Sequence, residues 1–241
     1  MDIKKQDLLY AGKARSIFAT NSPQHYIIKN RDDISAFNAQ KKSSFKGKGS
    51  INNKFSNIIF NYLENFGVKT HFIKEFSQDE VLAKKVSIFP LEVVVRNYTA
   101  GSFCARYGIG HSKPLSVPLI EYFYKNDELN DPMVCSQHIY ILNLANESEL
   151  SQIKNIALKV NNLLIDFFHK SNLILADFKI ELGKDDAGDI LLADEISPDT
   201  CRLWDKQTSQ PLDKDVFRQD LGNYKEAYEE ALRRITINGD S

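Results

Sequence analysis

Cysteine is scarce in this sequence, and its copies lie far apart. Cys104, Cys135 and Cys201 form no CxxC pair, so neither a thiolate zinc site nor a disulfide framework is predicted. An odd, small number of cysteines is typical of a reducing compartment. Long apolar runs are also missing, and the first residues, MDIKKQDLLYAGKARS, lack the apolar stretch of a signal peptide. We therefore expect a soluble, cytoplasmic protein without a membrane-spanning segment.

Two common phosphate-binding motifs are absent as well. The sequence contains no GxxxxGK[ST], and no GxGxxG follows a predicted strand, so any nucleotide must be held in another way. The five histidines share no metal-ligand spacing and have no evident Ser or Cys partner, which argues against a hydrolytic triad. A formal net charge of −1 gives no reason to expect nucleic acid or an anionic membrane as a partner.

What the chain does have is enough apolar material for a substantial core. Its 241 residues are 42% hydrophobic and include 15 Phe and 10 Tyr. This length allows one large domain or two small, closely packed lobes.

The first part of the chain is predicted to form a hairpin followed by a helix. Alternating runs near 8–19 and 25–29 flank a turn-rich segment at 20–24, which indicates a β-hairpin. Residues 31–50 show no sustained period and are predicted to form a long, ordered loop. Ser50 is expected to cap a helix that Gly67 ends. Its apolar stripe comprises Ile51, Phe55, Ile58, Ile59, Tyr62, Leu63 and Phe66.

The second part mixes strands and helices. We expect strands at 81–86, 91–95, 173–182 and 190–196, and helices at 149–170 and 213–235. The segment 108–144 carries three prolines, Pro114, Pro118 and Pro132, and is predicted to be irregular. This succession favours an α+β fold with two lobes that share a cleft.

The most informative stretch is LADFKIELG at 175–183 together with LLADEISPD at 191–199. Alternation in a strand places Asp177, Lys179 and Glu181 on one face. A solvated face of an antiparallel sheet would also alternate in this way. Acids on both arms of one hairpin repel each other, however, and Mg²⁺ would remove that repulsion. We predict that Glu181 pairs opposite Ile190, that Asp177 then faces Asp194, and that Glu181 and Asp194 bind the metal.

Basic residues form a second group. Lys13 and Arg15 are two residues apart on a predicted hairpin strand, directly after a glycine. Lys48 lies between Gly47 and Gly49 at a helix N-terminus, where backbone N–H groups favour anions. For any one of these lysines, a solvated surface position is the more common situation.

A third group follows the apolar run LEVVV. Arg96 ends this run, and Ser102 follows Gly101 where a helix could begin. A guanidinium, a hydroxyl and backbone amides could together bind an anionic ligand. An internal ion pair of Arg96 and a plain N-cap at Ser102 explain the pattern equally well. Arg202 presents the same choice.

The motifs together resemble one known family. GKARSIF, SAFN through GKGSINN, PLEVVVRNYTAGS, NDPMV, LADFKIELG, LADEISPDTCRLWD and DKDVFRQDLG occur in this order and at this spacing. The series is similar to that of the phosphoribosylaminoimidazole-succinocarboxamide synthases (SAICAR synthetases) and covers nearly the whole chain. The resemblance implies an antiparallel N-terminal lobe, residues 1–85, and an ATP-grasp-like C-terminal lobe, residues 86–241, with the nucleotide in the cleft.

The family joins L-aspartate to carboxyaminoimidazole ribonucleotide with ATP and Mg²⁺, in de novo purine biosynthesis. Carried over by motif, the resemblance implies ATP contacts by Lys13 and Arg15, metal binding by Glu181 and Asp194, catalytic positions for Asp177 and Lys179, and substrate binding by Arg96, Ser102 and Arg202. We also expect Lys48 to contribute to ATP binding and Asp199 to substrate binding. Some members have Asp where this chain has Asn38, so no carboxylate role is transferred there. Others have Lys at the position of Arg15.

Several alternatives remain open at this stage. Another ATP-dependent carboxylate–amine ligase could use the same scaffold with a different acid. A non-catalytic nucleotide sensor would leave the RNYTAGS cluster without a purpose. A nucleic-acid binder that uses KKSSFKGKGSINNK is disfavoured by the near-neutral charge and by the lack of aromatics between those lysines. We expect small-molecule partners and a homo-oligomer.

Overall fold

A computed structural model describes residues 2–36 and 40–239, so the position of Asn38 lies outside the described residues. The strands are β1 (Lys5–Ala11), β2 (Arg15–Thr20), β3 (His25–Asn30), β4 (Asp33–Ala36), β5 (Lys41–Ser44), β6 (Phe72–Ser77), β7 (Glu80–Lys84), β8 (Ser87–Ile88), β9 (Leu91–Tyr98), β10 (Pro114–Tyr124), β11 (Met133–Val134), β12 (Leu173–Lys184), β13 (Ile190–Ala193) and β14 (Cys201–Asp205). The helices are α1 (Lys48–Asn65), α2 (Gly101–Tyr107), α3 (Ser136–Ile141), α4 (Glu147–Lys170), α5 (Asp215–Arg218) and α6 (Tyr224–Gly239), with a 3₁₀ turn at Asp127–Leu129.

The N-terminal part forms a five-stranded antiparallel sheet with the order β1-β2-β3-β7-β6. The predicted hairpin is confirmed as β2 and β3. The first alternating run is wrong as a single strand, because it turns between β1 and β2, where the Gly12 N–H donates to the Arg15 carbonyl at 2.7 Å. The segment predicted as a loop also contains strands, since β4 and β5 pair with each other.

Helix α1 follows most of the predicted apolar stripe, with Phe55, Ile59 and Leu63 fully buried, but Phe66 lies beyond the end of the helix and is exposed. Its start differs from the prediction. The N-cap is Gly47, not Ser50. The carboxylate of Asp32 accepts the N–H groups of Gly49 at 2.9 Å and Gly47 at 3.1 Å. The anion at this helix N-terminus is therefore supplied by the protein itself.

The second sheet is built around β12. In its first half β12 pairs with β9 and β14, and in its second half with β8 and β13. Strands β10 and β11 extend the sheet beyond β9. Helix α4 packs against β12 and, with α1, encloses the main core. Because both faces of β12 are covered, its polar residues are held inside the protein.

Two predictions for the second half are wrong. Residues 114–124 form one long strand, and its pairing with β9 is irregular between Pro114 and Leu119, where prolines are tolerated. The C-terminal helix is not continuous, because a turn with positive φ at Asp220 and Gly222 separates α5 from α6. Leu221, which lies in this turn, is exposed. No helix among the described residues is long and apolar enough to cross a membrane.

Candidate active site

The polar face of β12 reaches two cavities that lie end to end. The intersheet cavity, about 330 Å³, lies between the two sheets and is lined by Lys13, Arg15, Glu181 and Asp194. The arginine cavity, about 360 Å³, is lined by Arg96, Ser102, Asp177, Asp199 and Arg202. Lys179 lines both cavities.

The intersheet cavity has an apolar part and a charged part. Ile17, Tyr26, Ile28, Val86 and Ile88 supply apolar walls from β2, β3 and the segment around β8. The charged part is formed by the turn after β1, by β12 and by the residue after β13. A flat apolar group with an anionic tail would match this division.

Lys179 is held by three carboxylates. Its ammonium lies 2.8 Å from Glu181, 2.9 Å from Glu92 and 3.7 Å from Asp194. Burial disfavours the charged form, but the two glutamates outweigh burial and raise the pKa of Lys179 well above its ordinary value. The lysine is therefore a fixed positive charge at the junction of the cavities.

Glu181 and Asp194 also have cationic partners of their own. Lys125 bonds Glu181, and Arg15 bonds Asp194. Burial opposes ionisation of Glu181, yet Lys179 and Lys125 prevail and lower its pKa to about 2. Glu181 is consequently ionised at neutral pH.

The predicted strand register is wrong, although the two acids do lie together. Glu181 pairs with Ala193, and Lys184, not Glu181, pairs with Ile190. Asp177 does not face Asp194, since it pairs with Arg96 on β9 and with Arg202 on β14. Simple alternation from Ala193 would turn Asp194 to the other face. Asp194 lies beyond β13 at φ 65°, and this left-handed turn places its carboxylate near Lys179.

Of the three basic residues predicted to contact ATP, two lie together in the structure and the third lies elsewhere. Lys13 and Arg15 both line the intersheet cavity, with Lys13 2.8 Å from Asp127 of the 3₁₀ turn. Lys48 lies elsewhere, because its side chain is only 1% exposed and its ammonium is 2.5 Å from Asp199.

Arg96 is the centre of a buried ion network. Its guanidinium is 2.5 Å from Asp177, 2.7 Å from Glu121 and 3.1 Å from the Ser102 hydroxyl. Helix α2 begins at Gly101 with Ala100 as its N-cap, so Ser102 is not a plain N-cap, and its hydroxyl lies beside the guanidinium. Arg96 therefore forms internal ion pairs, which was one of the two alternatives predicted from the sequence. It also lines the arginine cavity, as the other alternative requires.

Arg202 approaches the same acid from the opposite edge of β12. It donates to both oxygens of Asp177, at 2.9 and 3.0 Å, and to Asp215 at 2.8 Å. Burial disfavours its charge, but Asp177 and Asp215 raise its pKa. A Cβ on Gly101 would lie 2.4 Å from the Arg202 guanidinium, so glycine is needed for this approach.

Asp199 accepts hydrogen bonds from two helices of the fold, α1 and α6. Besides Lys48, its donors are Asn52 at 2.9 Å and Tyr228 at 2.7 Å. Burial opposes ionisation, but Lys48 and Lys214 lower the pKa of Asp199. Its oxygens are thus used within the protein, and they fix the floor of the arginine cavity.

Sequence reasoning missed several charged residues that line the cavities or contact their walls. Lys125 lies five residues before the NDPMV motif and outside every quoted motif, whereas Arg218 lies inside DKDVFRQ. Arg106 follows Ser102 by one helical turn and donates to its hydroxyl at 3.1 Å. His71 lines the intersheet cavity, and burial, then Arg15 and Lys84, lower its pKa to about 3. None of these carried a signal in local periodicity.

The two carboxylates of Glu181 and Asp194 are enough for a metal site only where other ligands complete the coordination shell. Among residues 2–36 and 40–239, no group of three or more His, Cys, Asp or Glu residues could hold a metal ion. Mg²⁺ commonly uses one or two carboxylates and completes its shell with water and substrate phosphates. Glu181 and Asp194 fit a metal that arrives with phosphates, and they do not fit a metal held by protein ligands alone.

Comparison with known proteins assigns the chain to a family. The family model described as SAICAR synthetase matches residues 8–235. The chain belongs to the SAICAR synthetase family. The phosphoribosylaminoimidazole-succinocarboxamide synthase of Caldanaerobacter subterraneus subsp. tengcongensis is 51% identical over 233 residues, which cover 97% of this chain and 99% of that protein. The resemblance noted in the sequence motifs is thereby confirmed.

Solved SAICAR synthetases share the fold. The enzyme from Ehrlichia chaffeensis superposes with a TM-score of 0.93 at 45% identity and covers 95% of this chain and 98% of its own. A SAICAR synthetase in complex with ADP superposes with a TM-score of 0.92 at 47% identity and covers 95% of this chain and 97% of its own. The expected mixture of helices with antiparallel sheets is confirmed.

Proposed function

We propose that this protein is an ATP- and Mg²⁺-dependent ligase that joins L-aspartate to the carboxylate of carboxyaminoimidazole ribonucleotide. The products are the succinocarboxamide ribonucleotide, ADP and phosphate, and the reaction belongs to de novo purine biosynthesis. Family membership supports the reaction class. A relative that covers 97% of the chain is named phosphoribosylaminoimidazole-succinocarboxamide synthase. The related structure in complex with ADP supports a nucleotide as co-substrate.

The observation that carries the proposal is the position of Lys179 between two cavities of different chemistry. One cavity has apolar walls and a cationic end, as a nucleotide requires, and the other presents guanidinium groups, as a phosphorylated acid requires. A γ-phosphate in the first and a carboxylate in the second would meet at this ammonium. Lys179 would then neutralise the oxygens that move between them.

The intersheet cavity would hold ATP. The base would lie between Ile17, Ile28 and Val86, and the phosphates would reach Lys13 and Arg15. Arg15 now pairs with Asp194, so phosphate binding would exchange one anion for another at this guanidinium. Lys48 would act indirectly, through Asp199, because its ammonium is buried away from this cavity.

The arginine cavity would hold the ribonucleotide. Arg96, Ser102 and Arg202 would bind its phosphate and carboxylate, and Asp177 would keep the two guanidinium groups together. Asp199 would support this site from the loop that leads into β14, the strand that carries Arg202. Asp177 and Lys179 would lie beside the reacting groups.

Glu181 and Asp194 would hold Mg²⁺ together with ATP phosphates. When bound, the ion supplies charge neutralisation for the phosphoryl group. The chain's own residues then position the two anions. No protein nucleophile is required. A carboxylate oxygen of the ribonucleotide would attack the γ-phosphorus and displace ADP, and the aspartate amine would then displace phosphate from the acyl phosphate and lose a proton as the amide forms.

The larger architecture belongs to the same proposal. Residues 1–85 would form the N-terminal lobe and residues 86–241 an ATP-grasp-like lobe, with the nucleotide in the cleft between them. The enzyme would work in the cytoplasm as a homo-oligomer, with small molecules and neither nucleic acid nor membrane as partners.

A coupled assay of ADP formation tests the function. With ATP, Mg²⁺, L-aspartate and carboxyaminoimidazole ribonucleotide we expect turnover, and omission of any one component should abolish it. The same assay with other acids and amines serves as the control. ADP formation that does not depend on the ribonucleotide, or that prefers another acid, would contradict the proposal.

A further inference from the structure

Asp213 is a fully buried carboxylate behind the arginine cavity. Its side chain is 0% exposed, and it is absent from the cavity lining. One oxygen accepts the N–H of Leu203 at 2.7 Å, and the other accepts the N–H of Asp215 at 2.6 Å. The residue therefore ties β14, directly after Arg202, to the first turn of α5.

Asp215 is the next carboxylate, and it connects two guanidinium groups. Its oxygens accept from Arg202 at 2.8 Å and from Arg218 at 2.6 Å. Both arginines line the arginine cavity. The chain of contacts thus runs from Asp213 through the backbone of Asp215 to its carboxylate, and from there to two cations that face the cavity.

Two neighbouring buried carboxylates are unfavourable unless they are compensated. Burial and the charge of Asp215 raise the pKa of Asp213 to about 7, although the two backbone donors oppose this rise. An apolar residue at position 213 would avoid this cost. What it could not do is accept two backbone N–H groups at once and so fix the turn that aims Asp215.

We propose that Asp213 is a positioning residue for the anionic end of the ribonucleotide, because it fixes the turn from which Asp215 orients Arg202 and Arg218. The inference rests on the proposed function, since it names the device that aims two of the cations at the substrate. Asp213 itself touches no ligand. Its loss should weaken ribonucleotide binding and leave the intersheet cavity unaffected.

The test is Asp213→Asn, assayed with each substrate varied in turn. An amide can accept at one oxygen only, and its NH₂ would face the second N–H group. We expect KM for the ribonucleotide to rise tenfold or more, while KM for ATP stays within twofold. Asp205→Asn is the matched control, because Asp205 lies at the other end of β14 and also accepts two backbone N–H groups, from Gln207 at 2.9 Å and Thr208 at 2.6 Å. This control should leave both KM values unchanged.

A double-mutant cycle separates positioning from general destabilisation. If Asp213 acts through Asp215, the variant with both Asp213→Asn and Asp215→Asn should raise the ribonucleotide KM no further than Asp215→Asn alone. Additive effects, or an unchanged ribonucleotide KM in Asp213→Asn, would overturn the proposal. If Asp213→Asn does not fold, the Asp215→Asn variant tests the proposal by itself. An unchanged ribonucleotide KM in that variant would show that Asp215 does not orient the two arginines, and would overturn the proposal. An inactive wild-type enzyme would instead contradict the proposed function.

Discussion

At the scale of single residues, the carboxylates of the candidate site are already paired with cations of the protein. Glu181 has Lys179 and Lys125, Asp194 has Arg15, and Asp177 has two arginines. Buried charges require such partners. Under the proposed function, ligand binding would exchange these partners, with phosphates taking the cations and Mg²⁺ taking the carboxylates of Glu181 and Asp194.

The metal assignment predicts the effect of Glu181→Gln. Removal of this charge should lower turnover by about two orders of magnitude or more, because the ion would lose one of its two protein ligands. Steady-state ADP formation at saturating Mg²⁺ measures it. Asp189→Asn is the control, since Asp189 is an exposed residue of the same β12–β13 turn and pairs with Lys69. Near-wild-type turnover in Glu181→Gln would refute the assignment.

Arg96→Ala should affect both stability and binding. The change leaves Asp177 without one of its two arginines and Glu121 with Arg106 alone, and loss of one partner from a buried pair costs about 3–5 kcal/mol. We expect a lower urea midpoint and a higher ribonucleotide KM, with ATP binding preserved. Arg96→Lys should recover part of the stability. Wild-type values for both quantities would show that the network is not needed.

The sequence identified much of this site at the residue scale but not its pairings. Alternation was enough to put Asp177, Lys179 and Glu181 on one face, since it depends only on strand geometry. Glu92, Glu121 and Lys125 come from other strands and loops. Their approach depends on strand order and register, which no local pattern contains.

At the scale of elements, helix α2 matters because its two ends carry glycines with different surroundings. Gly101 begins the helix at φ +53° against the Arg202 guanidinium, whereas Gly108 ends it at φ +62° with nothing within 4 Å of a Cβ. Both positions favour glycine for conformational reasons. Only at position 101 is glycine also required for the close approach of the Arg202 guanidinium.

This difference predicts distinct effects for two alanine variants. Gly101→Ala and Gly108→Ala should each lose about 1 kcal/mol of unfolding free energy from backbone strain. Gly101→Ala should in addition displace Arg202 and raise the ribonucleotide KM severalfold. Thermal unfolding and substrate kinetics on both variants measure the two effects. Equal kinetic effects would mean that the close approach has no role in binding.

At the scale of the whole molecule, the buried acids tie distant segments together. Asp199 joins α1, α6 and the loop before β14, while Asp205 joins β14 to α6 through Arg234 at 2.6 Å. Burial opposes ionisation at both, but their partners lower the pKa of Asp199 and bring that of Asp205 to about 2. Both groups therefore make stability depend on pH.

The sign of this dependence follows from linkage. A carboxyl whose folded pKa lies below its unfolded value stabilises the fold above the unfolded pKa, and this contribution is lost as pH falls through the folded pKa. We expect the free energy of unfolding to fall as pH drops from about 4 towards 2. Urea unfolding across this range measures it. Asp205→Asn should flatten the curve, whereas Asp186→Asn, on an exposed turn, should not.

The sequence by itself determined the family, the apolar stripe of α1, the existence of α4 and the residues that carry charge along β12, because motif order and periodicity are properties of the chain. Only the tertiary structure decided the register of β13, the left-handed turn that returns Asp194 to the site, and the burial of Lys48 against Asp199. These features arise where separate segments meet, and their energies come from packing and ion pairing across long sequence distances.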